Sequence, residues 1–228
     1  MEPHYVNTTR VTGDRYRSLS VASDRSRNHR YIALEGGDGS GKTTLSASLA
    51  ARLRAEGDEV VEVREPGGTP LGESVRRLLL DSDQVDPWAE VFLFAAQRAQ
   101  LVKDVVAPAL ERGAWVISDR TYYSSIAYQG RARGLGEDRV RQINEIGLDG
   151  VVPARVFVIE VDPGTALGRQ HRTDRIGSEG VDFQEEVRSA YRDLATSEPD
   201  RVVLLDGRLP VEDLVGQVME ALGHERSI

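Results

Sequence analysis

Between Gly36 and Thr43 the chain reads G-x-x-x-x-G-K-T, and what flanks this loop restricts the fold more than any other feature. The apolar run "YIALE" (31–35) precedes it, and "TTLSASLAARLRAEG" follows with apolar residues at helical spacing and Gly57 as a stop. Strand, glycine-rich loop and helix in that order form an anion cradle. Gly36, Gly37, Asp38, Gly39, Ser40 and Gly41 let backbone N–H groups point inward, and the positive end of the helix adds to the field. Lys42 is positioned for the β- and γ-phosphates of ATP, and the Thr43 hydroxyl for Mg²⁺, with Thr44 beside it. The bland alternative, a glycine-rich turn, leaves the apolar strand and amphipathic helix unexplained.

The rest of the chain continues the same alternation. Strands are predicted at 59–63, 114–118, 155–162 and 201–207. Helices are predicted at 71–80, along a stretch from Pro87 to Gly113 with a kink at Pro108, within 136–147, from Pro163 through "PGTALGRQHR", at 183–196 and at 210–222. This order predicts an α/β fold: a five-stranded parallel sheet with helices on both faces. Residues 31–223 form one domain, followed by a short tail at 224–228. Residues 1–30 are polar, Arg- and Ser-rich and without lasting periodicity, which predicts a disordered extension with no secretory signal.

Composition narrows the function. The net charge of the 228 residues is -8, against the basic balance usual in nucleic-acid binders. There is no cysteine, so disulfide and thiolate chemistry are excluded. No apolar run approaches the ~20 residues that span a bilayer. Lysine occurs only at Lys42 and Lys103 in an arginine-rich chain, so the loop keeps a slim ammonium against the bias. An Asn-Lys-x-Asp guanine reader and the transporter "LSGGQ" are both missing, and the size suits a small-molecule kinase.

Further motifs supply an acceptor side. "WVISDR" places Asp119 and Arg120 just past a strand, where open parallel sheets line their ligand crevice. Asp119 can position Mg²⁺ or orient an acceptor, and Arg120 can grip a phosphate bidentately. A surface ion pair is the competing reading. Phe94 and Arg98 in "EVFLFAAQRAQ" lie four apart on one helix face, suited to stacking on a base and bonding its edge. Phe94 as plain core is the alternative.

"GGDGSGKTT", "REPGGT", "EVFLFAAQRAQ", "WVISDR…YQG" and "TDRI…DF" follow one another at a spacing that resembles the bacterial thymidylate kinases, from about Tyr31 to Leu222. The resemblance implies a P-loop kinase fold with a short lid, and γ-phosphoryl transfer from ATP to dTMP with Mg²⁺ in a cytoplasmic homodimer. It places Asp38 opposite the acceptor's sugar and phosphate, Phe94 on thymine, Arg98 on its O4 edge and Arg120 on the acceptor phosphate. Ser125 and Gln129 fall at base-edge positions, and Tyr128 where an aromatic ring disfavours a ribose 2′-OH. Glu65 and Pro66 belong to the acceptor-side loop, with a cis peptide expected between them.

Ser40 stands where one branch of the family carries a loop arginine. The positive charge needed near the moving phosphoryl group is therefore expected from Arg169, Arg172 and Arg175 around "TDRIG", with Arg175 and then Arg172 as catalytic candidates. The chain departs from the family pattern at Thr121, Ala154, Ile159–Val161 and Gly177. These departures support a second reading, a related kinase acting on a different or modified pyrimidine nucleotide; a third, an ATP-binding module without turnover, is opposed by the intact Lys42, Asp119, Arg120 and lid arginines.

Overall fold

The computed structural model describes residues 28–82, 84–162 and 175–223. The expected disordered stretch over 1–27, the tail at 224–228, the helix from Pro163 and the lid arginines Arg169 and Arg172 lie outside the described residues. Asn28 and Arg30, grouped with the extension on composition, are fastened to the domain. The Asn28 amide donates to the Gly150 carbonyl at 2.8 Å, and Arg30 reaches Asp58 at 3.0 Å.

Five strands form one parallel sheet: β1 (Tyr31–Glu35), β2 (Val60–Arg64), β3 (Trp115–Asp119), β4 (Arg155–Glu160) and β5 (Val202–Asp206), in the order β2-β3-β1-β4-β5. Among the described residues the α-helices are α1 (Lys42–Ala55), α2 (Pro70–Asp81), α3 (Pro87–Leu101), α4 (Ala107–Glu111), α5 (Tyr122–Ser125), α6 (Glu137–Leu148), α7 (Val181–Ser197) and α8 (Val211–Ala221), and α5 runs on as a π-helical segment over Ile126–Ala132. Each face of the sheet carries its own core, because side chains alternate along a strand. Ile32 and Leu34 pack with Leu45, Leu49 and Leu53 of α1 and Leu214 and Val218 of α8. Tyr31 and Ala33 face Leu101, Tyr122, Ile126, Val187 and Tyr191 on the other side.

Pro108 lies in a helical stretch that continues from α3 through to Glu111. The chain widens into a π-helical turn at Val102–Val106 and resumes as α4, so the departure from α-helical hydrogen bonding falls immediately before Pro108, the residue with no N–H to donate. Thr69 caps α2, accepting from the Gly72 N–H at 2.9 Å. A side chain at Gly72 would place its Cβ 2.5 Å from the Gly67 carbonyl, so glycine there lets the helix close against the preceding loop.

The register pairs Leu34 of β1 and Arg64 of β2 with Asp119 of β3. The carboxyl ends of these strands therefore lie side by side. Connections leave β1 toward β2 and β3 on one side and β4 and β5 on the other, and the crevice at that switch is where ligands of open α/β sheets sit.

Candidate active site

The loop after β1 makes one wall of the crevice. Gly36 has φ 131°, and a Cβ there would stand 2.6 Å from the Ile159 carbonyl, so only glycine fits. Lys42 is 7% exposed and folds over the loop, its ammonium donating to the Gly36 and Gly37 carbonyls at 3.0 and 2.7 Å. Burial, reinforced by the Arg120 charge, lowers its pKa to about 8. The Thr43 hydroxyl donates to Asp119 Oδ2 at 2.9 Å, which joins the loop to the end of β3. Gly39, Gly41, Lys42, Thr43 and Thr44 line an open cavity of about 960 Å³ that extends to Asp119 and Arg120.

Arg120 has the left-handed φ of 73°. Its N–H donates to the Leu34 carbonyl at 3.0 Å, and its own carbonyl accepts from the Ser118 hydroxyl at 2.6 Å. The guanidinium pairs with Asp38, donates to the Gly36 carbonyl at 3.2 Å and the Ser124 hydroxyl at 3.1 Å, and lies 5.3 Å from the centre of the Tyr128 ring. Burial opposes charge on Asp38, yet the Arg120 and Lys42 cations hold its carboxyl below the usual range.

A second cavity, of about 120 Å³, opens beside this pair. Asp38, Glu65, Pro66, Phe94, Arg120, Ser125, Tyr128 and Gln129 line it, all of them predicted from sequence. Arg76, Leu80, Ser124 and Ile176 join them, and none of those four was singled out. The Glu65–Pro66 peptide is cis, as expected. Buried Glu65 Oε1 has no hydrogen-bond partner among the described residues, while burial pushes the carboxyl up against the opposing pull of Arg98.

The thymidylate kinase family model matches residues 34–218. The chain belongs to the thymidylate kinase family. A thymidylate kinase of Deinococcus radiodurans is 43% identical over 198 residues, covering 85% of this chain and 96% of the relative. One from Rhizorhabdus wittichii is 40% identical over 200 residues, with 85% and 96% covered. A crystal structure of thymidylate kinase from Ehrlichia chaffeensis superposes with a TM-score of 0.71 at 33% identity, covering 85% of this chain and 97% of that one. The fold is thus the P-loop kinase fold expected from the sequence.

Two of the family-based assignments occupy unexpected surroundings. Arg98 is only 2% exposed and does not line the smaller cavity. Its Nε donates to Glu65 Oε2 at 2.5 Å, and its terminal nitrogens reach Asn144, the Thr121 carbonyl at 3.2 Å and Ser125 at 3.4 Å. It therefore sits behind Glu65 and Ser125, which themselves line the cavity. Arg175 ion-pairs with the buried Glu90 of α3 at 2.5 Å and donates from Nε to the Leu79 carbonyl at 3.1 Å. Glu90 also accepts from Gln129 at 2.7 Å and Arg133 at 2.9 Å. This network holds Arg175 beside the smaller cavity, next to Ile176 in its wall.

Sequence reasoning missed Glu35, Glu90, Gln97 and Arg76. Gln97 bridges Glu65 Oε2 at 3.0 Å and the Gly67 N–H at 3.2 Å, and Arg76 donates to the Pro66 carbonyl at 2.9 Å. The cue for Arg76 and Gln97 is the loop itself: a backbone turn as tight as "EPGG" needs external partners for its N–H and C=O groups.

Proposed function

We propose that the protein transfers the γ-phosphoryl group of ATP to dTMP, giving dTDP and ADP. Family membership makes the chain an ATP-dependent nucleoside monophosphate kinase. The observation that carries the acceptor reading is a junction: the large phosphate-loop cavity and the smaller one share Asp38, Glu65, Arg76 and Arg120. Two anions seated in these cavities meet across Arg120.

In this reading the loop N–H groups and Lys42 hold the β- and γ-phosphates, and Arg120 exchanges its Asp38 contact for the acceptor phosphate. The acceptor oxygen is already anionic and needs no strong base, so rate comes from in-line placement and neutralised charge. Thr43 and Asp119, hard oxygen donors already in contact, would hold Mg²⁺, a cation that prefers oxygen ligands and needs few from the protein. When bound, the ion neutralises phosphate charge. Half-buried Phe94 stacks on thymine, with Ser125 and Gln129 at its edge and Tyr128 against C2′ of the sugar. Arg98 acts on the O4 edge by way of the Glu65–Ser125 wall. Arg172 and Arg175 approach the phosphoryl group from the lid, which requires Arg175 to exchange Glu90 for phosphate.

A homodimer fits the exposed Phe92 (57%) of α3 and Ile146 (83%) of α6, helices that pack through Ala99 and Gly147. Among the described residues no helix is long and apolar enough to cross a membrane. Soluble nucleotide substrates place the reaction in the cytoplasm. The test is ADP release with ATP, Mg²⁺ and dTMP, with dTDP identified as product; ADP release that does not depend on dTMP would refute the reading.

A further inference from the structure

We propose that Glu35 is the positioning residue that holds Arg120 in its phosphate-binding conformation. This rests on the reading of Arg120 as the acceptor-phosphate ligand and gives that role a structural cause. Glu35 closes β1, one residue before the phosphate loop, and is completely buried. Among the described residues no lysine or arginine ion-pairs with it. Its carboxylate instead collects four neutral donors. Oε1 accepts from the Thr121 N–H and the Thr121 hydroxyl, both at 2.7 Å. Oε2 accepts from the Ser124 hydroxyl at 2.5 Å and the Tyr191 hydroxyl at 2.8 Å. A buried carboxylate is tolerated only where its lone pairs are filled, and here each oxygen is filled twice.

These donors surround Arg120. Thr121 is the next residue, and its N–H fixes the peptide plane that leaves Arg120. Ser124 receives the Arg120 guanidinium through the same oxygen whose proton goes to Glu35. A non-glycine residue at φ 73° persists only where its surroundings over-determine it. Leu34 and Ser118 hold the Arg120 backbone from one side, and Glu35 holds both the exit peptide and the side-chain tip from the other. Without Glu35, the arginine relaxes toward an ordinary φ and its guanidinium leaves the junction between the two cavities. Tyr191 brings α7 onto the same carboxylate, which seats that helix beside the phosphate loop.

The side-chain chemistry separates variants. Glutamine keeps the length: its carbonyl can take both Thr121 donors, and its amide can donate to the Ser124 and Tyr191 oxygens. Alanine removes every partner. Thr121→Val keeps the branched shape and deletes one donor. The experiment measures steady-state constants for each substrate, dTMP binding by calorimetry, and melting temperature for wild type, Glu35→Ala, Glu35→Gln and Thr121→Val. The expected result for Glu35→Ala is a fall of about 100-fold or more in kcat/KM for dTMP with KM for ATP within about threefold, and recovery by Glu35→Gln to within about tenfold of wild type. Thr121→Val raises KM for dTMP about fivefold and leaves ATP unchanged. If Glu35→Ala does not fold, Thr121→Val and Glu35→Gln decide. Equal losses toward both substrates, or loss of melting temperature with kinetic constants intact, make Glu35 merely structural and overturn the proposal. A wild-type protein that neither binds nor phosphorylates dTMP overturns the acceptor reading itself, and the inference with it.

Discussion

The two halves of the site are built in opposite ways. The donor half comes from neighbours in sequence, residues 36–44, whose backbone forms the cradle and whose one cation, Lys42, bends back onto its own loop. The smaller cavity, the proposed acceptor half, collects Asp38, Glu65, Phe94, Arg120, Tyr128 and Ile176 from segments far apart. It is held by buried polar contacts rather than by loop geometry: Arg98 with Glu65, Glu35 with Thr121 and Ser124, Glu90 with Arg175. Damage to the first half should therefore cost chemistry and spare the fold, whereas damage to the second should cost both.

The strongest way to break that contrast is Lys42→Ala. It is expected to lower kcat by about 10³-fold or more while the melting temperature stays within a few degrees, since among the described residues the ammonium's hydrogen bonds all go to its own loop. Activity within threefold of wild type would remove the loop from the mechanism.

Arg98→Ala is the counterpart on the acceptor side. It leaves the buried Glu65 carboxylate without its cation, for an expected destabilisation of about 3–5 kcal/mol by urea unfolding. Combining it with Glu65→Gln should cost less than the sum of the two single changes. A loss below about 1 kcal/mol accompanied by a selective loss of dTMP affinity would mean that Arg98 faces the ligand directly.

Glu90→Gln sharpens the comparison further. It weakens the hold on Arg133 and Arg175, for about 1–3 kcal/mol, and is expected to raise KM for dTMP through the displaced Ile176 wall. An effect confined to ATP would assign Arg175 to the donor half.

The smallest effect is in the pH profile. Lys42 loses its charge as pH rises through about 8, so kcat/KM for ATP, which reports the free enzyme, should be level below that pH and fall up to about tenfold per unit above it. Between about 8 and the ordinary 10.5 the folded protein binds fewer protons than the unfolded chain, so stability rises across the same window in which ATP capture falls. A profile level to pH 10 would mean the ammonium is not desolvated.

Legibility in the sequence followed the same division. The cradle, the parallel sheet and the Asp119–Arg120 pair rest on local spacing, and the structure holds all three. Phe94 and Arg98 were placed correctly on one helix, but the partners that bury Arg98 come from Glu65, Thr121 and Asn144, which no helical period reveals. Glu35 and Glu90 sit in runs that read simply as strand end and helix start. Thr121, a departure from the family pattern, has a local explanation: its hydroxyl donates to Glu35 and accepts from the Tyr123 N–H.

The most direct test of the account is the ratio of kcat/KM for dTMP to that for dCMP, with dUMP, AMP and dGMP alongside, at fixed ATP and Mg²⁺. A pocket of about 120 Å³ lined by Phe94, Ser125 and Gln129, with the proposed stacking of Phe94 on thymine, predicts dTMP ahead of dCMP by about 100-fold or more. Comparable rates on dTMP and dCMP, or a preference for a purine monophosphate, would contradict it.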